Sequence, residues 1–285
     1  MSIQKSAIIA LHAQTSIHAG ANDGDGVVDL PIQRESHTAY PCIFGSSMKG
    51  ALRAFAEVNM NDDKTKKLFG PKSSMSSSAG EMGELLISDA RLLLLPIRSL
   101  TGQFRWVTCP AILERLCRDI GRFLPNQSKI DIKLEVNEGE VLTFQKSDEK
   151  LQKLFLEEYA FTMKEIEEND KKNLLSLLTP FLNAPHFEEQ LAIVDNDSFS
   201  YLCRYATPVN ARNVLNTDTK ISDNLWYEET LPSETIMYLG LVGKNDISLI
   251  TKLLEEKKYL QVGGNETVGM GWFEVSEYKM QGEQS

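Results

Sequence analysis

The chain opens on the pattern strand, helix, strand and closes on the same pattern. At the N-terminal end, SAIIALHA (6–13) is an apolar run of strand length. GSSMKGALRAFAEV (45–58) sets Met48, Leu52 and Phe55 at helical spacing, with Ser46 or Ser47 as its cap, and ELLISDARLLLLPIRS (84–99) reads as a long strand. At the other end, LWYEETLPSETIMYLGLVG (225–243) reads as strands. NDISLITKLLEEKKYL (245–260) reads as an amphipathic helix capped by Asn245 or Asp246, and LQVGGNETVGMGWFEV (260–275) as a strand interrupted by glycines. Between them QFRWVTCP (103–110), KIDIKLEV (129–136) and EVLTFQ (140–145) have strand patterns, and AILERLCRDIGRFL (111–124) and NDKKNLLSLLTPFL (169–182) are helical. AIVD and YLCRYA give strand-like pieces within 187–219. This order is α+β, compatible with a ferredoxin-like unit carrying large insertions.

Two segments fall outside that pattern. Gln14 to Pro41 is a long polar run rich in Gly and Asp, and loops of that length inside a compact domain are often functional. KSSMSSSAGEMG (72–83) has the composition of a disordered loop.

Composition excludes several classes. With 285 residues, 42% hydrophobic and 25% charged, the chain has the make-up of a globular protein able to bury a core. No apolar run approaches membrane-spanning length, and the N-terminus lacks a small-residue cleavage site, so we expect a cytoplasmic protein with no membrane partner. Cys42, Cys109, Cys117 and Cys203 form no C-x-x-C pair, and no H-x-x-x-H pair exists; neither a disulfide framework nor a zinc site is expected. The net charge of −10 argues against nucleic-acid binding, but charge is uneven. Residues 91–133 hold eight basic against three acidic residues, and 135–170 hold eleven acidic against four basic.

Three stretches carry possible chemistry. GSSMKG (45–50) puts small residues at a helix start, where exposed N–H groups and the helix dipole favour an anion, and Lys49 and Arg53 share a face. An ordinary helix with a solvated basic face is the alternative. GGNETVGMGW (263–272) holds four glycines in nine positions, suiting either a phosphate cradle or a plain turn. The loop HAGANDGDGVVDLPIQRE (18–35) carries Asp23, Asp25 and Asp29. A loop carboxylate can hold one Mg²⁺ that keeps most of its waters; solvation of the loop is the alternative, preferred for Asp23 and Asp25. Glu228 and Glu229 are adjacent on a strand and so point to opposite faces, which argues against an acid–base pair.

In combination and order, HAGANDGDGVVDLPIQRESHTAYPCIFGSSMKGALR, GELLISDARLLLLPIRS, NLWYEETLPSE and QVGGNETVGMGW resemble the backbone subunit of the Cmr complex, the type III-B CRISPR effector, in the RAMP superfamily. The resemblance runs from His18 to Trp272 and is least distinctive at 125–220. It implies a single domain, 1–285, with a ferredoxin-like (RRM-related) palm and a β-hairpin thumb at about 187–224. It implies a filament of copies along a CRISPR guide RNA, joined by other Cmr subunits, that cuts single-stranded target RNA at regular intervals in antiviral defence. The V-D-x-P-I-Q-R motif assigns cutting to Asp29, as ligand of Mg²⁺ or a similar divalent metal or as proton acceptor. The G-S-S-x-K-G motif assigns Ser46, Ser47 and Lys49 to the guide backbone. We place Arg53, His18, Gly263, Gly264 and Gly269 with them as RNA-binding. The sequence departs from the commonest family pattern by an N-D-G-D insertion before Val27 and by Met270, where a basic residue is frequent. A non-cutting packaging subunit and a guide-processing ribonuclease of the same superfamily are the competing readings, and Asp29 in its motif disfavours both.

Overall fold

The computed structural model describes residues 5–21, 26–71, 82–127, 130–145, 152–182 and 184–279. In chain order the elements are β1 (Ser6–Ala13), β2 (Cys42–Ile43), α1 (Gly45–Asn59), α2 (Asp62–Phe69), β3 (Leu85–Ile87), β4 (Ala90–Arg98) and β5 (Phe104–Thr108). Then come α3 (Pro110–Phe123), β6 (Glu140–Thr143), β7 (Lys153–Leu156), β8 (Tyr159–Glu165), α4 (Glu168–Leu178) and β9 (Leu191–Val194). The chain continues through α5 (Asn196–Tyr205), β10 (Val209–Leu215), β11 (Ser222–Glu229), β12 (Ile236–Gly243), α6 (Ser248–Lys257), β13 (Tyr259–Gln261) and β14 (Trp272–Glu277).

One large sheet runs β13-β14-β1-β12-β4-β5-β9-β6-β8-β7. Its centre, β14-β1-β12-β4, is antiparallel throughout. With α1 after β1 and α6 after β12, this is the ferredoxin-like order, and everything between β4 and β12 is inserted into it. β1 and β12 are buried along nearly their whole length, because both faces of the central sheet are covered. α3 covers the face to which Tyr238 and Gly240 point: the Tyr238 hydroxyl donates to Asp119 at 2.8 Å, and a Cβ on Gly240 would fall inside the Phe123 ring. Pro96 is tolerated in β4 because it lies beyond the last β12 pair, at Leu94, and pairs only with Trp106 of β5.

Several expectations change. The strand over 84–99 is two strands, broken where Ser88 and Asp89 turn their side chains to other work: Ser88 Oγ accepts from Gly240 N–H, and Asp89 Oδ1 accepts from Gly45 N–H at 2.6 Å. Asp89 therefore serves the start of α1, where Ser46 or Ser47 was expected to cap; Phe44 holds the cap position and makes no side-chain cap bond. Ile247, not Asn245 or Asp246, holds the cap position of α6 and makes no side-chain cap bond, although Asp246 accepts from Ser248 N–H. Residues 130–136 join no strand ladder, although Ile132 and Leu134 bury as their alternation suggests. YLCRYA is helical, within α5, because Phe199, Leu202 and Cys203 share one buried face and Asp195 caps it. The expected loop at 72–83 falls almost wholly outside the described residues.

The segment 187–224 is not one hairpin. β9 belongs to the large sheet and α5 packs on the body, so the free two-stranded antiparallel ribbon is β10–β11, which extends to Glu229.

Asp119 is almost fully buried and accepts from Arg91 at 2.7 Å, from Tyr238 and from Arg122. Burial, then the Asp119 charge, pushes the Tyr238 hydroxyl above its ordinary range, so it remains a donor. The cations left by Asp119→Ala, Arg91 and Arg122, reach water, so the main loss is the buried acceptor of the Tyr238 hydroxyl; the change should cost about 1–3 kcal/mol in a denaturant titration. Burial also raises the Cys42 thiol to about 12 and the Cys109 and Cys117 thiols to about 11. The unfolded thiols lose protons first, near 9.0, so this contribution is intact below that pH and is lost as pH climbs toward the folded values. Native protein at pH 8 should accordingly alkylate far more slowly than the urea-unfolded chain, read by mass spectrometry.

Candidate functional site

The long run from Gln14 to Pro41 is organised by its own short bridges. Gly20 pairs with Ile32 and Arg34 with Pro41, while Ile17 pairs with Leu231 and Leu30 runs parallel to Glu228. The run thus folds back on itself and docks along the end of β11.

Asp29 sits exposed where the run meets β11. Its Oδ2 accepts the Tyr227 N–H at 2.7 Å, and Leu30 N–H donates to the Tyr227 carbonyl at 3.1 Å. Its flanking Val28 and Leu30 are half-buried, so the β11 backbone, more than an apolar pocket, fixes its direction. One carboxylate oxygen is held, and Oδ1 has no hydrogen bond among the described residues. Asp23 and Asp25 lie outside the described residues.

The next residues build the frame. Gln33 donates to the Gly20 carbonyl at 2.9 Å and to Ser47 Oγ at 3.1 Å, and its Oε1 accepts from Phe44 N–H. One amide thereby ties the Asp29 loop to the start of α1. Arg34 donates to the Cys203 carbonyl at 2.8 Å in the last turn of α5, to Ala39, to Thr207 and to the buried Glu229. Glu229 also accepts from Thr207 Oγ1 at 2.6 Å and from Ile32 N–H at 3.1 Å. Farther on, Glu35 accepts from Arg115 of α3 at 2.6 Å.

Glu228 faces the opposite way, as its place on a strand requires. It is buried, accepts from Asn265 and lies 3.5 Å from both Arg212 Nε and His18 Nδ1. His18 is buried too: Nδ1 lies 2.8 Å from the Glu229 carbonyl, and its own carbonyl accepts from Gly264 N–H at 2.9 Å. Gly263 has φ +91°, and a Cβ there would stand 2.4 Å from the His18 carbonyl, so only glycine fits. Gly269, at φ +81°, faces open space. His18 and the glycine loop are thus brought together with the base of the ribbon.

At the start of α1, Ser46 and Lys49 are exposed and Ser47 is half-buried against Gln33. Arg53 is occupied: Nε donates to Glu57 at 3.0 Å and a terminal nitrogen to the Pro71 carbonyl at 3.3 Å. Sequence reading passed over Gln33, Arg34, Glu228 and Glu229 as site residues. The signal available was their place inside the two quoted motifs, and no spacing rule reports bonds across nearly two hundred residues.

A family model, the RAMP superfamily, matches residues 10–274. The chain belongs to the RAMP superfamily, in its Cmr4 family. The CRISPR system Cmr endoribonuclease Cmr4 of Pyrococcus furiosus is 34% identical over 289 residues, covering 95% of each chain. The crystal structure of oligomeric Cmr4 from that organism matches with a TM-score of 0.73 at 27% identity, over 98% of this chain and 99% of the other. A chain of the type III-B Cmr-beta complex bound to cognate target RNA matches at 0.76 with 22% identity, over 97% and 98%, a likeness of fold. The ferredoxin-like palm expected of a RAMP protein is present. No helix among the described residues is long and apolar enough to cross a membrane.

The Arg34 knot generates a stability test. Arg34→Ala strips the cation from buried Glu229 and should cost about 3–5 kcal/mol. Arg34→Lys should rescue little, because one ammonium cannot replace a planar fork serving four acceptors. Hydrogen exchange should show β10, β11 and the end of α5 losing protection together.

Proposed function

We propose that this RAMP protein is a target-RNA-cutting backbone subunit of a type III-B effector, with copies of itself lining a guide RNA beside other Cmr subunits. The carrying observation is Asp29: an exposed carboxylate in the family's cutting motif, held by the Tyr227 N–H at the base of a free β-ribbon. The Cmr4 relative is named an endoribonuclease, and an oligomeric Cmr4 crystal structure shares this fold. A cytoplasmic place in antiviral defence follows from the same reading.

RNA brings its own nucleophile. When a nucleotide is turned out of its duplex by the ribbon, its 2′-OH can line up with the adjacent phosphorus. The hydroxyl oxygen bonds to phosphorus, the bond to the 5′ oxygen breaks, and a 2′,3′-cyclic phosphate and a 5′-hydroxyl result. Asp29 Oδ1 accepts the 2′-hydroxyl proton, and the leaving oxygen takes one from water. Among the described residues no group of three or more His, Cys, Asp or Glu could hold a metal ion. As the alternative to accepting the proton, that single free carboxylate oxygen would hold Mg²⁺, which keeps most of its waters and would take phosphate oxygens. Bound there, the ion would neutralise charge developing on the phosphate. Ser46, Ser47 and Lys49, at the start of α1, hold guide phosphates, with His18, Gly263, Gly264 and Gly269 shaping the neighbouring RNA-binding surface.

Two experiments test this. In the assembled complex, Asp29→Asn should slow target cleavage by about 10²-fold or more while leaving target affinity near normal, because binding is spread over many phosphates. A 2′-deoxy nucleotide at one site should block that cut alone; continued cutting there would replace internal attack by water. Lys49→Ala should weaken guide binding about equally for unrelated guides and flatten its salt dependence by roughly one charge per subunit. Arg53→Ala should do less, since Glu57 and Pro71 already hold that guanidinium.

A further inference from the structure

Gln33 is a buried amide whose orientation its partners dictate. A backbone N–H, that of Phe44, must face the amide oxygen, and a carbonyl, that of Gly20, must face the nitrogen. The second amide hydrogen then goes to Ser47 Oγ, 3.1 Å away, and toward that hydrogen the hydroxyl can only accept. The proton of Ser47 is left over, with no acceptor for it among the described residues. It sits on a half-buried side chain in the first turn of α1, between exposed Ser46 and the exposed Lys49. An anion at that helix start draws such a proton. A hydroxyl that donates to an anion becomes a better acceptor, so phosphate contact at Ser47 tightens the bond from Gln33.

On its other side Gln33 belongs to the run that carries Asp29. Its backbone N–H donates to the Ala19 carbonyl at 2.8 Å, and Ala21 N–H donates to the Pro31 carbonyl at 2.8 Å, so 19–21 and 31–33 form a short ladder. The Gln33 side chain clasps that ladder at the Gly20 carbonyl. Just upstream, Leu30 gives its N–H to the Tyr227 carbonyl and accepts from Glu229 N–H, while Asp29 takes the Tyr227 N–H. One amide therefore holds the start of α1 and the loop bearing Asp29 at once.

We propose that Gln33 is a positioning residue that couples phosphate contact at Ser47 to the placement of Asp29, so that a subunit cuts at full rate only where it grips the guide. This rests on the roles proposed for Ser47 and Asp29 and adds the link between them.

The test uses the complex assembled on guide RNA with saturating target. Ser46→Ala and Ser47→Ala each remove one hydroxyl from the guide surface, but only Ser47 is bonded to Gln33. Both should weaken guide binding by a similar factor, and Ser47→Ala alone should also slow the single-turnover cut, by about three- to tenfold. Gln33→Met, which keeps the bulk without the polar atoms, should slow it at least as much, and the double variant with Ser47→Ala should be no slower than Gln33→Met. Multiplied effects in the double variant, or equal cutting by the two serine variants, overturn the proposal. Where Gln33→Met does not assemble, the serine pair decides alone. Amide exchange at Leu30 reads the loop without cleavage: it should be faster in assembled Ser47→Ala than in assembled Ser46→Ala, and equal exchange overturns the link. If that difference holds while Asp29→Asn cuts normally, the cutting role of Asp29 falls and the link from Ser47 to its loop stands.

Discussion

The site hangs on the pair between Arg34 and Glu229. A polar excursion as long as that from Gln14 to Pro41 has no core of its own, and its ordering entropy must be offset by bonds to something rigid. Arg34 supplies them at the point where three segments meet: the end of α5, the start of β10 and the end of β11. Burial makes the pair an exacting device. Glu229 has an amide, a hydroxyl and a guanidinium as donors, so its charge is met on several sides. Such a pair adds little net stability over apolar packing, but it tolerates one geometry only, and that geometry sets Asp29.

Strand alternation divides the labour of the two adjacent glutamates. Glu229 turns toward the loop bearing Asp29, and Glu228 toward the glycine loop and His18. One β11 residue pair therefore fastens both motifs to the ribbon from opposite faces, which is why VVDLPIQRE and GGNETVGMGW converge although 227 residues of chain separate them. The glycines divide as well. Gly263 is required by the His18 carbonyl pressed against it, whereas Gly269 leaves a gap with no protein atom filling it. The first is a packing glycine and the second keeps an open backbone surface.

The palm was legible because its strands and helices have apolar periods: β1, β4, β12, α1, α3 and α6 all stand where the pattern placed them, within a few residues. The insertion was less so. YLCRYA alternates in a way that suits either period, and only the capping Asp195 upstream distinguishes helix from strand. KIDIKLEV has a strand pattern whose buried residues found a core without finding a partner strand. Asp29, Ser47 and Lys49 could be singled out only through their motifs, and what holds Asp29 and Ser47 could not be read at all. The capping of α1 by Asp89 and the Gln33 bridge join segments distant in sequence, and local pattern carries no information about them.

The ribbon completes the physical picture. β10 and β11 pair with no other named strand, Leu30 alone bridging to the end of β11, and most of their residues are exposed, including Val209, Val214, Leu215 and Leu225. A two-stranded ribbon in water is marginal by itself. Its base near Glu229 is tied to the body by the Arg34 knot, whereas the tip turns on local bonds alone: Asn216 Oδ1 accepts from the Asp218 and Thr219 N–H groups, and backbone bonds join Asn216 with Lys220 and Ile221. A ribbon tied to the body at its base and bonded only within itself at its tip, with apolar residues left uncovered, fits the duplex-parting role proposed for it. The base holds Asp29 through the Tyr227 N–H, at a place along the ribbon that the β10–β11 register sets. In the proposed function, that fixed base would let Asp29 meet one phosphate reproducibly without the ribbon reading any sequence.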